Sequence, residues 1–192
     1  MQNTFFAMLS RMKYIERWAL MRNSKRENIS EHSMEVAIIS HALAILGNIR
    51  LSKQYEPDHV AALGLYHDCT EILTGDMPTP VKYNNPEIQT AYKQIEKDAA
   101  YRLLELLPKD LMKYYENYIV EDQWTAEERL LVKAADKLSA LIKCIEEEKA
   151  GNREFANAYK STINSIHALH CPEAEIFCDE FLEAFEKTLD EL

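Results

Sequence analysis

His67 and Asp68 stand side by side in the stretch AALGLYHDCTEILTG over 61–75, with possible partners far upstream at His32 and far downstream at Asp136. Two imidazoles and two carboxylates form a donor set suited to a borderline divalent ion such as Mn, Co, Fe, Ni or Zn. Mg and Ca would prefer oxygen alone. Four protein ligands in an octahedral shell leave one position for water and one for a substrate oxygen, the open arrangement that metal-assisted hydrolysis requires. Glu71 lies four residues after His67 and three after Asp68. If one helix runs through all three, Glu71 shares their side one turn further on, where a carboxylate not needed as a ligand is placed to move protons.

Each residue also has a plainer explanation. A lone histidine in a helix is usually a satisfied core or surface residue, and His41, His59, His167 and His170 take that reading. His67 departs from it because it adjoins an aspartate on an apolar segment, where a charge without a counter-charge is costly to bury. Asp136 sits in VKAADKLSALI over 132–142, mostly apolar and small. A salt bridge to lysine or arginine explains it as well as a metal does. Cys69 follows Asp68 directly, but its side chain would leave the face shared by His67 and Glu71, so it is set aside as a ligand.

The elements that must position these residues read as helices. Phe5, Met8, Leu9, Met12 and Ile15 fall at helical intervals and predict a first helix over 5–18. Ser30 is the expected N-cap of a second helix that stops at Gly47 and carries His32 in its opening turn. A third begins near Pro57 and is expected to carry His67, Asp68 and Glu71 up to Gly75. TGDMPTPVK over 74–82, with one glycine and two prolines, predicts a loop beside the site. Helices are expected over 86–107 and 109–120. TAEE over 125–128 has the capping-box pattern and opens a helix to Gly151 that contains Asp136. Two more follow over 152–169 and 172–190. Strict two-residue alternation is absent, so the fold class is all-α, and 192 residues that are 47% hydrophobic are read as one domain.

The net charge of −10 argues against a partner that is a nucleic-acid polymer. Residues 1–26 nevertheless hold six basic side chains against Glu16 alone, a local charge of about +5. That imbalance suits a small anionic ligand, or equally a basic helix facing acidic neighbours. Four cysteines without a C-x-x-C pair are read as reduced and structural. No run of 18 apolar residues and no signal-peptide core is present, so a cytoplasmic protein that avoids membranes is expected.

The order His32, then YHD over 66–68, then Asp136 within KAADKL resembles the HD superfamily of metal-dependent phosphohydrolases, whose helical core holds one ion. SRMKYIERWALMR over 10–22, NISEHS over 28–33 and YHDCTEILTGDMPTPVK over 66–82 are similar, more closely, to its bacterial 5'-deoxynucleotidases. The resemblance implies an HD-domain helical bundle in which His32, His67, Asp68 and Asp136 hold one divalent transition metal ion, cobalt, manganese or one of similar preference. It implies hydrolysis of deoxyribonucleoside 5'-monophosphates by a metal-bound water, with Glu71 as the catalytic carboxylate and general acid. Arg17 would orient the phosphate, Trp18 would shape the sugar pocket, Asp76, Met77, Pro78 and Thr79 would form a substrate-binding loop, and the assembly would be a homodimer. A metal- and nucleotide-binding sensor without turnover, a phosphohydrolase of another nucleotide, and a structural adaptor are the competing readings.

Overall fold

The computed structural model describes residues 3–82 and 84–192, and among them ten α-helices, several short 3-10 turns and no strand. The chain divides into two compact units: residues 1–20, 26–33 and 66–124 in the first, and 21–25, 34–65 and 125–192 in the second.

The first unit contains α1 (Phe5–Leu9), the opening turn of α2 (Ile29–Arg50), α4 (Glu71–Thr74), α5 (Thr79–Lys82), α6 (Pro86–Leu104) and α7 (Lys109–Ile119). Its buried core joins Phe5, Met12 and Ile29 to Cys69, Leu103, Leu104, Leu107 and Ile119. Tyr115 packs edge-on against Phe5 at 5.1 Å between ring centroids and against Tyr66 at 6.0 Å. Burying side chains of this size stabilises by about 1.5–3 kcal/mol each, so the segments at 5–15, 29, 66–72 and 103–119 are held as a set. The expected first helix is shorter than its periodicity. After Leu9 it tightens into a 3-10 turn, Ser10–Tyr14, and at Ile15 the backbone becomes extended. There Glu16 forms an isolated antiparallel bridge with Asn28.

The second unit holds the rest of α2, most of α3 (Pro57–Tyr66), α8 (Ala126–Lys149), α9 (Ala156–Ala168) and α10 (Pro172–Phe181). α8 is its spine and packs against both α9 and α10. The expected capping box is present: Thr125 Oγ1 accepts from the Glu128 amide at 3.1 Å, and Glu128 Oε2 accepts from the Thr125 amide at 2.7 Å. α2 runs through Gly47 to Arg50, because Gly47 serves packing: a Cβ there would meet the Tyr55 ring at 2.5 Å. Gly64 likewise lets α3 approach α2, since its Cβ would stand 3.0 Å from the Ala37 Cα. By length and composition alone α2 would suffice to cross a membrane, contrary to the sequence expectation. Core helices pass the same criterion, and Val36, Ile39, Leu43 and Ala44 of α2 are buried.

Candidate metal centre and active site

α3 ends at Tyr66, residues 67–70 form a turn, and α4 opens afresh at Glu71. The continuous helix expected through Gly75 is therefore broken at the residues of interest. Amide hydrogen bonds from Cys69 to the Tyr66 carbonyl and from Glu71 to the Asp68 carbonyl, both 3.0 Å, close the turn. Fully buried Cys69 fastens it to the core of the first unit. His32 arrives from the first turn of α2, which is capped by Asn28 rather than Ser30. Asn28 Oδ1 accepts from the amides of Ser30 at 3.0 Å and Glu31 at 3.1 Å.

These two turns bring His32, His67 and Asp68 together, with one donor atom from each within 4.8 Å of the others. Asp68 Oδ2 is 3.1 Å from His67 Nε2 and 3.5 Å from His32 Nε2. The donor set fits a borderline divalent cation. Two imidazoles and one carboxylate converge, and a cation there would offset the negative charge that Asp68 brings. Asp136, the fourth expected ligand, lies on α8 in the second unit, half-buried, with Lys137 Nζ 3.3 Å from its Oδ2.

Glu71 is 7% exposed, and its Oε2 is buried without a hydrogen-bond partner. Burial first, then the charges of Asp68 and Asp76, push its carboxyl up to about 10, against the opposing pull of Arg17 and Lys82. With no cation in the centre, these surroundings favour the protonated form of Glu71, the state a proton donor needs. Asp76 is also raised, mainly by burial and by Asp68, although Arg17 and a hydrogen bond from the Trp18 amide pull the other way. For metal-free protein a pH dependence of stability follows. Because the folded state holds the Glu71 proton more tightly than the unfolded chain, stability falls as pH rises from the ordinary glutamate range toward about 10. The slope has an upper bound of ~1.4 kcal/mol per pH unit. Urea unfolding of chelated protein at several pH values should show this decline, and Glu71→Gln should flatten it. Parallel declines in parent and variant would assign it to other groups.

Arg17 and Trp18 lie on the extended segment that pairs with 26–29. The Arg17 amide donates to the Glu27 carbonyl at 3.0 Å, and the Ile29 amide donates to the Ile15 carbonyl at 3.0 Å. Trp18 has φ +59, a left-handed conformation rare for a bulky residue. Its amide reaches the Asp76 carboxylate. In the predicted loop, Gly75 has φ +73 and ends α4, as a glycine can without strain. Asp76, Met77 and Pro78 form the loop proper, whereas Thr79 already begins the short α5. Met77 lines a cavity of about 340 Å³ together with Leu73, Thr74, Tyr92 and Arg102.

Comparison with known proteins shows the family of the chain. The model of the family described as 5'-deoxynucleotidase YfbR-like matches residues 4–185. The chain belongs to that family. Among its relatives, a 5'-deoxynucleotidase of Vibrio atlanticus is 44% identical over 191 residues, covering 100% of this chain and 98% of the relative. A 5'-deoxynucleotidase of Yersinia pseudotuberculosis is 46% identical over 188 residues, covering 98% and 95%. Two solved structures share the fold. An HD-domain phosphohydrolase from Listeria innocua has a TM-score of 0.79 at 21% identity, covering 95% of this chain and 88% of that one. A cyanophage S-2L HD phosphohydrolase bound to dA and one catalytic Zn2+ ion has a TM-score of 0.69 at 21% identity, covering 98% and 100%.

For this member of the YfbR-like family, two charged residues near the site had no signal in the sequence. Lys82 pairs with Glu96 at 2.9 Å, lies over the Tyr92 ring at 4.8 Å, and acts on both Glu71 and Asp76. Glu27 accepts from Arg17 Nη1 at 3.2 Å and from Trp18 Nε1 at 3.0 Å. It stands just beyond the basic N-terminal stretch, and only the fold shows which of the nearby cations it serves.

Proposed function

We propose that this chain is a metal-dependent 5'-deoxynucleotidase that converts deoxyribonucleoside 5'-monophosphates to deoxyribonucleosides and phosphate. Its carrying observation is the placement of buried Glu71, whose surroundings favour the protonated carboxyl, near the His32, His67 and Asp68 donors, in a chain 44% identical to a protein named for that activity. His32, His67 and Asp68 would hold the ion, with Asp136 of the second unit as the fourth ligand that the sequence resemblance supplies. A divalent ion held there lowers the pKa of a coordinated water and offsets charge on phosphoryl oxygens.

The chain's own residues do the rest. Arg17 binds the phosphoryl group and balances the charge it gains as the P–O bond breaks. Glu71 gives its proton to the departing 5'-oxygen, so that the nucleoside leaves as a neutral alcohol. Asp76 accepts a hydrogen bond from a sugar hydroxyl, and the 76–79 loop carries it past the sugar. Trp18, with its left-handed backbone, would be the wall that a 2'-hydroxyl crowds. We infer cobalt or manganese as the working metal, a homodimer as the assembly and the cytoplasm as the location. These follow from the resemblance and the composition.

Phosphate release from dAMP and AMP, with chelated protein resupplied separately with Co, Mn, Zn and Mg, tests the reading. Release from dAMP that depends on metal and exceeds that from AMP by about tenfold or more, the order a crowded pocket achieves against one added group, is expected. Equal rates would remove Trp18 as the sugar filter. No release with any metal, together with tight nucleotide binding, would replace the enzyme by a sensor.

A further inference from the structure

The indole of Trp18 and the guanidinium of Arg17 are tied to one atom, Oε2 of Glu27, at 3.0 and 3.2 Å. Arg17 and Glu27 side chains are each 13% exposed, so the tie is shielded from water. The Arg17 Cζ also lies 6.0 Å from the Trp18 ring centroid. Backbone pairing holds Glu27 itself in register, through the Arg17 amide to the Glu27 carbonyl and the bridge between Glu16 and Asn28. Trp18 is therefore gripped at two places, its amide by Asp76 and its indole by Glu27, while its backbone keeps a φ of +59.

We propose that Glu27 is a positioning residue that sets the preference for deoxyribose over ribose by holding the Trp18 ring and the Arg17 guanidinium at a fixed separation. The proposal rests on the deoxynucleotidase reading. An aromatic wall rejects an extra hydroxyl only if it cannot yield, and a shift of well under 1 Å relieves a steric clash. A left-handed tryptophan has a standing reason to yield, because leaving that conformation relieves backbone strain. The charge-assisted hydrogen bond to Glu27 opposes that escape. Phosphate and sugar are joined only through O5' and C5', so a wall held at a fixed distance from Arg17 limits where the 2' position of a bound nucleotide can sit.

A simpler role for Glu27 is to neutralise Arg17. The two roles differ in outcome. Removing a neutralising charge changes phosphate attraction for dAMP and AMP alike. Releasing the wall changes them differently. In Glu27→Gln and Glu27→Ala, the ratio of kcat/KM for dAMP to that for AMP should fall about tenfold, the scale of one hydrogen bond to a charged group, with AMP gaining in relative terms. Glu16→Gln, on the exposed side of the same bridge and paired with Arg26, should keep the parent ratio. In a 15N–1H spectrum, the Trp18 indole resonance should move in both Glu27 variants and stay in place in Glu16→Gln. Equal scaling of both substrates, or an unmoved indole resonance, overturns the proposal. If the parent is inert with every metal, the deoxynucleotidase reading fails by itself. The ratio of dAMP to AMP dissociation constants, measured by calorimetry on the same variants, then decides the role of Glu27 by the same tenfold criterion.

Discussion

Glu71→Gln is expected to lower kcat for dAMP by about 100- to 10,000-fold, the range associated with a positioned proton donor, while metal content and dAMP affinity stay close to those of the parent. The argument rests on chemistry and volume together. Glutamine fills the same buried space, and it lacks the acidic proton that burial, Asp68 and Asp76 keep on Glu71. Replacing a protonated carboxyl by a neutral amide changes little in the charge balance at neutral pH, so folding and binding should survive. Single-turnover phosphate release, together with dAMP binding by calorimetry, separates the two effects. A variant that turns over at the parent rate would remove Glu71 from the reaction. One that loses metal and substrate as well would make it a structural residue.

Asp68→Ala is expected to abolish stoichiometric metal retention and, with it, turnover. Asp68 Oδ2 stands within 3.1 Å of His67 Nε2 and 3.5 Å of His32 Nε2, so it supplies the negative charge around which the two imidazoles gather. Asp68→Asn should be milder, keeping an oxygen donor but losing that charge. Metal analysis after gel filtration, followed by titration of chelated protein with Co and Mn, reads the difference. Asp68→Ala protein that retained one metal per chain would exclude Asp68 as a ligand. A second consequence is that Glu71, relieved of its nearest like charge, should ionise more readily in Asp68→Ala.

Much of the site was legible because its signals are local. An aspartate beside a histidine on an apolar run, a carboxylate three residues on and a glycine-proline loop need no tertiary information to read. Thr125 with Glu128 could be read the same way, and that capping box is present. What escaped depends on contacts distant in sequence. Apart from Gly64, which lies inside α3 and three residues before the break, AALGLYHDCTEILTG holds no helix breaker before Gly75, yet the helix breaks at 67–70, where Cys69 is buried in the first unit's core. The early end of α1 accompanies the bridge from Glu16 to Asn28, a pairing that periodicity cannot show. Trp18 in a left-handed conformation runs against its own propensity, as residues at functional sites sometimes do. Asp136 was read from sequence as a ligand, and its place on α8 in the second unit leaves metal titration of Asp136→Asn to assign it.

Cys69 has a bearing on resistance to oxidation. It is the immediate neighbour of Asp68, yet it is fully buried, and burial together with the Asp68 charge drives its thiol far above the usual range. A thiol held protonated and shut away from solvent reacts slowly with peroxide. The turn that carries His67 and Asp68 is thereby spared oxidative capping at the sulfur next to its aspartate.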